Sequence, residues 1–272
     1  MPMTTEVVLK TADDRYQVLS SLLTSRSKRH RRGRFIVQGV RPVTLALEAG
    51  WPLEAVIGRA GGRLSRWAAG VWDEAPVATR YRVTDALMVG LCGKEEPAEV
   101  LLVARVPERS LADVPVGSST VICVVDRIAS PGNLGSIIRS ADAFGAAGVV
   151  TVGHAADPYD PACVRASTGS IFNVPVVAAA DMAAVTTWCA APASSAGWPA
   201  VRLVGADESS PTLAAGDLAP PVAIVLGSEG RGLSRSAVDA CERLVSVPMV
   251  GKASSLNVAS AATVLLYESR RR

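Results

Sequence analysis

Three short stretches of this 272-residue chain carry residue types whose spacing suits chemistry on an anionic substrate. The first is DRIASPGNLGSIIR, Asp126 to Arg139, which follows the apolar run VICVVD. Its glycines fit no nucleotide fingerprint: Gly132 and Gly135 are followed by Ile138 rather than a third glycine, and Ser136-Ile137-Ile138 is not the GK[ST] of a phosphate loop. Asn133 is placed to cap a helix starting here. Arg139, further along that helix, offers a planar fork to a phosphate near a helix N-terminus, itself attractive to anions. The second stretch, LGSEGRGLS (Leu226 to Ser234), holds Glu229 among Gly227, Gly230 and Gly232, where backbone can approach a ligand closely. The third, VPMVGKASSLNVASAATVLLYE (Val247 to Glu268), runs into a helix with a small-residue face. Ser254 or Ser255 is placed to cap that helix. Asn257 would then lie one turn inside, a mildly unfavourable place for asparagine.

Something must bring these stretches together. VICVVD, GVVTVG, VRLVGAD, VAIVLGS and LVSVPMV are short β-branched runs separated by helical patterns. Such runs predict a parallel sheet covered on both faces, with the loops after the strands gathered at one ligand-binding edge. VPVVAAADMAAVTTWCAAPASSAG, Val174 to Gly197, is too alanine-rich to span a membrane; it reads as a strand and then a helix broken at Pro192. The first half reads as a smaller α/β unit. A helix beginning at Tyr16 continues into a basic run, and FIVQG is a strand. RPVTLALEAG is a helix, EAVIGR a strand, RLSRWAAGVW a helix, ATRYRV a strand, ALMVGLC a helix and EVLLVARV a strand. The predicted division is an N-terminal domain over 1–106, a linker over 107–119 rich in proline and charge, and a C-terminal domain over 120–272.

The chain is 49% apolar and 19% charged, an ordinary globular composition with a net charge of +3. That charge is unevenly spread. RSKRHRRGR holds Arg26, Lys28, Arg29, Arg31, Arg32 and Arg34, a cluster suited to the phosphates of a polyanion. The five cysteines are scattered and form no CxxC pair, so they read as buried apolar residues of a reducing, cytoplasmic protein, with no metal centre. The N-terminus has no basic-then-apolar signal pattern.

Taken in order, NLGSIIRSADAFGA, LGSEGRGLS and VPM-x-G-x-x-x-SLNVAxAA resemble the three motifs of the SPOUT superfamily, and more closely those of TrmH-like (SpoU) RNA ribose 2'-O-methyltransferases. The resemblance spans Val121 to Glu268. The basic run followed by FIVQG resembles the start of the substrate-binding domain that many of these enzymes carry, which is similar to a small RNA-binding ribosomal protein. Gln38 stands where that pattern has glutamate.

The resemblance implies an α/β fold whose C-terminal parallel-sheet domain ties a deep trefoil knot. It implies a homodimer that binds S-adenosylmethionine and methylates RNA, with neither metal nor membrane. Asn133, Arg139, Glu229, Ser255 and Asn257 match its catalytic positions, with Glu229 orienting Asn133 or Arg139. Gly205, Ala206, Leu226, Gly227, Val247, Met249 and Leu256 match its cofactor positions. The implied substrate is 23S rRNA. Alternatives are transfer RNA, an rRNA methylation that confers antibiotic resistance, or a non-catalytic RNA-binding assembly factor that kept the fold.

Overall fold

A computed structural model describes residues 4–93, 97–195 and 199–271. The chain forms two compact units: Met1–Pro107 with Tyr159–Phe172, and Glu108–Pro158 with Asn173–Arg272.

In the first unit the elements are β1 (Thr5–Leu9), α1 (Asp14–Thr24), α2 (Arg26–Arg32), β2 (Arg34–Gln38), α3 (Val40–Glu48), β3 (Leu53–Arg59), α4 (Arg66–Glu74), β4 (Thr79–Val83), α5 (Asp85–Cys92) and β5 (Val100–Arg105). Their sheet has the order β1-β4-β3-β5-β2. β1, β4 and β3 are parallel, and β5 is antiparallel to both β3 and β2. Strand alternation sends Ile36, Ile57, Leu101 and Val103 to one core with Leu19, Leu22, Met88 and Leu91 of the helices.

Phe35 packs apart from that cluster. Its ring lies 4.8 Å from that of Tyr159 and 6.4 Å from that of Phe172, and Phe172 meets Trp51 edge-on at 5.1 Å. Tyr159–Phe172, which includes α7 (Pro161–Ala166) and a 3-10 turn (Ser170–Phe172), therefore completes this unit's interior from far along the chain.

One strand was missed and one sequence expectation is corrected. TEVVL is an edge strand, β1, not anticipated from its composition. The basic run does not extend the first helix. Ser25 adopts extended backbone (φ −127°, ψ 109°) and starts a separate helix, ended by Gly33 in the left-handed region.

The second unit holds β6 (Val121–Asp126), α6 (Pro131–Ala143), β7 (Gly148–Val152), β8 (Val176–Ala179), α8 (Met182–Ser195), β9 (Arg202–Ala206), β10 (Val222–Leu226), α9 (Arg235–Ala240), β11 (Arg243–Val245) and α10 (Val258–Glu268). Its sheet, β11-β9-β10-β6-β7-β8, is parallel throughout. The strand order reverses between β6 and β10, so the loops after these neighbours diverge and leave a crevice.

Register fixes which residues meet at that edge. Asp126 pairs with Val152, Leu226 with Ala206, and Ala206 with Val245. The helix expected to break at Pro192 continues to Ser195: a proline this close to a helix end removes few backbone bonds. Ala196 and Gly197, the end of that predicted stretch, lie outside the described residues. The stretch read as a linker belongs to this unit from Glu108 onward, with a 3-10 turn at Leu111–Asp113 and Val114 in the core. Four cysteines are buried and Cys241 is half-buried; burial pushes the thiols of Cys123, Cys189 and Cys241 up to about 12.

Candidate functional site

The site is built at the ends of β6, β9, β10 and β11. α6 begins with Pro131 in its first turn, and Ser130 is its cap: the Ser130 hydroxyl accepts from the Asn133 N–H at 3.3 Å. The expectation that Asn133 caps this helix is thereby corrected. Asn133 lies inside the first turn, and its side chain is free to act elsewhere.

That side chain joins the other two stretches. Its Nδ2 donates to Glu229 Oε1, and its Oδ1 accepts from Asn257 Nδ2 at 3.3 Å. Asn257 is not one turn inside its helix, as expected, but is itself the cap of α10: its Oδ1 accepts from the Ala259 N–H at 2.9 Å. Neither Ser254 nor Ser255 holds that position. The apparent cost of a mid-helix asparagine thus disappears, because asparagine is among the best capping residues. The result is a directed chain: a helix N–H sets Asn257, Asn257 sets Asn133, and Asn133 meets a carboxylate. Each amide orientation is dictated by its partner: the Ala259 N–H can only donate to Asn257, and the Glu229 carboxylate only accepts from Asn133. α10 is held to α6 further along, where the Ser140 and Thr263 hydroxyls lie 2.7 Å apart.

The loop carrying Glu229 is closed on itself. Ser228 and Gly232 exchange backbone bonds, Ser228 N–H to Gly232 O at 3.1 Å and Gly232 N–H to Ser228 O at 2.9 Å. A Cβ on Gly227 would overlap the backbone of Gly232 and Leu233, so only glycine fits there. The loop ends at Ser234, whose hydroxyl caps α9 by accepting from the Ala237 N–H.

This loop walls a cavity of about 390 Å³. Of the residues singled out in sequence, Ala206, Leu226, Gly227, Glu229, Val247, Met249, Ser255 and Leu256 line it. Gly205 does not: a Cβ there would point at Leu244, Leu233 and Cys241, away from the cavity. Sequence reasoning missed Asp207, Glu208, Ser246 and Val258, which also line it. Position immediately after the β9 strand was the available signal for Asp207 and Glu208. Asp207 is fixed by the hydroxyls of Ser210 and Ser209 at 2.7 and 2.8 Å, and these bonds hold its carboxyl below its ordinary 3.8. Asn133, Arg139 and Asn257 stand outside the lining. Arg139 is exposed on α6 and makes no hydrogen bond or ion pair among the described residues; Glu229 bonds Asn133.

The basic run is divided in function. Arg26, Lys28, His30, Arg31 and Arg32 are exposed on α2. Arg29, expected among the RNA contacts, is 2% exposed. Its guanidinium donates to the Leu22 and Leu23 carbonyls at the end of α1, at 3.0 and 3.4 Å, and to Asp160 at 3.0 Å. It is an interior cap for α1, which corrects that expectation. Arg34 is likewise engaged, paired with Glu54 at 2.6 Å. No cluster of three or more metal-ligating side chains occurs among the described residues, and no helix among them is long and apolar enough to cross a membrane.

Comparison with known proteins gives concordant findings. Residues 120–267 match the SpoU rRNA Methylase family and residues 13–103 the SpoU L30e-like domain. A 23S rRNA (uridine(2479)-2'-O)-methyltransferase from Streptomyces viridochromogenes is 43% identical over 258 residues, 94% of this chain and 89% of that protein. The crystal structure of the SpoU methyltransferase AviRb from Streptomyces viridochromogenes, in complex with the cofactor AdoMet, superposes with a TM-score of 0.87 at 40% identity, covering 94% of this chain and 97% of the other. An AdoMet-bound rRNA methyltransferase from Sinorhizobium meliloti superposes with a TM-score of 0.82 at 26% identity, over 98% and 97% of the two chains.

Proposed function

The chain belongs to the SpoU rRNA methylase family, and we propose from that premise that its three-loop site methylates the ribose 2'-hydroxyl of a nucleotide in 23S rRNA. It is an RNA 2'-O-methyltransferase that uses S-adenosylmethionine. The observation that carries the site assignment is Asn133, bonded at once to Glu229 and Asn257 beside the cavity.

The residues of the cavity fit this cofactor. A volume of about 390 Å³ suits a small molecule of that size. Leu226, Met249, Leu256 and Val258 provide apolar walls, and Gly227 lets backbone groups approach. Asp207, Glu208 and Glu229 bring three carboxylates against the one arginine of the lining, Arg231, a balance that favours a cationic ligand. When bound, the cofactor would supply an activated methyl carbon on a sulfonium as the electrophile for a ribose hydroxyl.

The protein's task is alignment. Arg139, exposed and uncommitted among the described residues, clamps an RNA phosphate and orients the hydroxyl. Its planar fork of N–H donors suits bidentate contact with a phosphate. Neither histidine lines the cavity. Ser255 and Asn257 border the ribose position, and the exposed cations of α2 (Arg26, Lys28, Arg31 and Arg32) hold the polyanion.

The domain plan is a substrate-binding domain followed by a catalytic one, in a cytoplasmic homodimer whose catalytic chain is knotted. The exposed apolar side chains of Met249, Val250, Leu256 and Tyr267 support pairing of two copies. Light scattering on the purified chain tests that stoichiometry.

The decisive experiment supplies labelled methyl donor with 23S rRNA or with transfer RNA, then maps ribose methylation. The uridine that names the 43% identical relative is the first position to inspect. Label on transfer RNA alone would overturn the substrate assignment; label on neither, with intact folding, would overturn the activity.

A further inference from the structure

Asp126 ends β6 and Arg127 follows it, at the head of the first motif stretch, and neither lines the cavity. Their geometry is nonetheless unusual. Asp126 is 2% exposed. Arg127 has φ 56°, in the left-handed region that a non-glycine residue enters at a cost. That turn of the backbone folds the arginine back over its neighbour. Nε donates to Asp126 Oδ1 at 3.2 Å, and Nη2 donates to the Gly232 carbonyl at 3.4 Å. Asp126 Oδ2 in turn accepts the Ser234 N–H at 2.6 Å. Room for the arginine stem comes from Gly153 at the end of β7, where a Cβ would lie 2.9 Å from Arg127 Cγ.

We propose that Asp126 and Arg127 are positioning residues for methyl transfer, gripping the return limb of the Glu229 loop at Gly232 and Ser234 so that Glu229 meets Asn133 and the cavity keeps its shape. Gly232 lines the cavity and closes the loop tip onto Ser228, so a grip at Gly232 is passed directly to the residues either side of Glu229. A buried carboxylate with a charged partner is a stiff anchor, because both groups lose water and depend on each other. The strained backbone at Arg127 is the geometric condition for this grip: without the left-handed turn the guanidinium would not reach back across Asp126.

The inference rests on the reading of the cavity as the cofactor site, and its test separates the two. S-adenosylmethionine is titrated calorimetrically into the native full-length chain, Arg127→Gly, Arg127→Lys and Asp126→Asn, with kcat, KM and Tm measured in parallel. Arg127→Gly relieves the left-handed strain but leaves the buried Asp126 carboxylate without its cation, so its Tm is expected to fall, whereas Arg127→Lys keeps a cation beside Asp126 and should hold Tm. Cofactor affinity and kcat of Arg127→Gly are each expected to fall about tenfold, the scale of a lost hydrogen bond to a charged group. Arg127→Lys, which keeps charge and stem, should recover part of the loss. Asp126→Asn keeps an acceptor for Ser234 and loses the ion pair, so it should resemble Arg127→Gly in affinity. Native affinity and kcat in Arg127→Gly would overturn the inference, as would fully native affinity and kcat in Arg127→Lys beside losses in Arg127→Gly and Asp126→Asn, the pattern of a charge that only holds the fold. No heat from the native chain would overturn the cavity assignment and this inference with it, a result distinguishable from heat in every variant.

Discussion

Asn133 Oδ1 accepts a hydrogen bond from Asn257 Nδ2 at 3.3 Å across 124 positions of sequence, and the other end of the same amide meets Glu229. A single planar group therefore ties the start of α6 to the start of α10 and to the glycine loop. Its two ends are chemically different, so its orientation is determined by its partners.

Replacing Asn133 with aspartate tests that arrangement. The new carboxylate would accept from Asn257 but face the Glu229 carboxylate, and like charges at this separation repel. Methylation turnover is expected to fall by about a hundredfold while Tm changes little, the magnitude seen when one placed polar group of an active site is lost. Single-turnover assays with saturating cofactor check it; near-native turnover would remove Asn133 from the mechanism.

Gly227→Ala should be damaging for a different reason. The added methyl would overlap main-chain atoms of Gly232 and Leu233, which have no rotamer to escape into. The loop must open, so cofactor binding is expected to be lost and stability to drop by about 2 kcal/mol. Calorimetric titration together with urea unfolding reads both effects.

Within the basic run, neighbouring arginines should fail in opposite ways. Asp160→Ala removes the carboxylate that pairs with the Arg29 guanidinium, itself 3% exposed, together with the cap of α7, and should cost about 3 kcal/mol of stability in urea unfolding of the full chain. Arg31→Ala and Arg32→Ala should leave stability alone. Each should weaken RNA binding and reduce the slope of log affinity against log salt by about 1. Filter binding over a salt series distinguishes the two classes.

Acid should loosen the first unit at a definable point. The Ser65 hydroxyl and N–H both donate to the Glu99 carboxylate at 2.6 Å and hold its pKa below the ordinary 4.5. A depressed carboxylate stabilises the fold above its unfolded value and loses that contribution as pH falls through the folded one. Native protein should therefore be more stable than Glu99→Gln at neutral pH, and the gap should close below pH 4.5. Urea midpoints of the two proteins, compared at neutral pH and in acid, check the sign. Equal midpoints at neutral pH would show that the Ser65 bonds add nothing.

The parts of this molecule that could be read from sequence share a physical property. Parallel strands such as VICVVD and VAIVLGS announce themselves because both faces are buried and nearly every residue must be apolar. Glu229 among glycines is conspicuous because local structure gives no reason for it. What stayed hidden depended on details finer than pattern. Caps shift by two or three residues with the first turn, so Ser130 displaced Asn133 and Asn257 displaced the serines. Arg29 is indistinguishable from Arg31 in a run of cations; only the carbonyls of α1 and a carboxylate 131 positions away single it out. The short edge strand β1 is five residues long and exposed along most of its length, so its VVL run is too brief to mark a strand.

The stretch Tyr159–Phe172 carries one more consequence. Phe35 and Trp51 find their aromatic neighbours in residues that ribosomes deliver more than a hundred positions later. A fragment ending at residue 107 would be born with its hydrophobic seam unsealed, prone to clump with its own kind. Maturation of the amino-terminal half must then wait for translation to pass Phe172, and exchanging that half between relatives requires carrying this distant strip along with it.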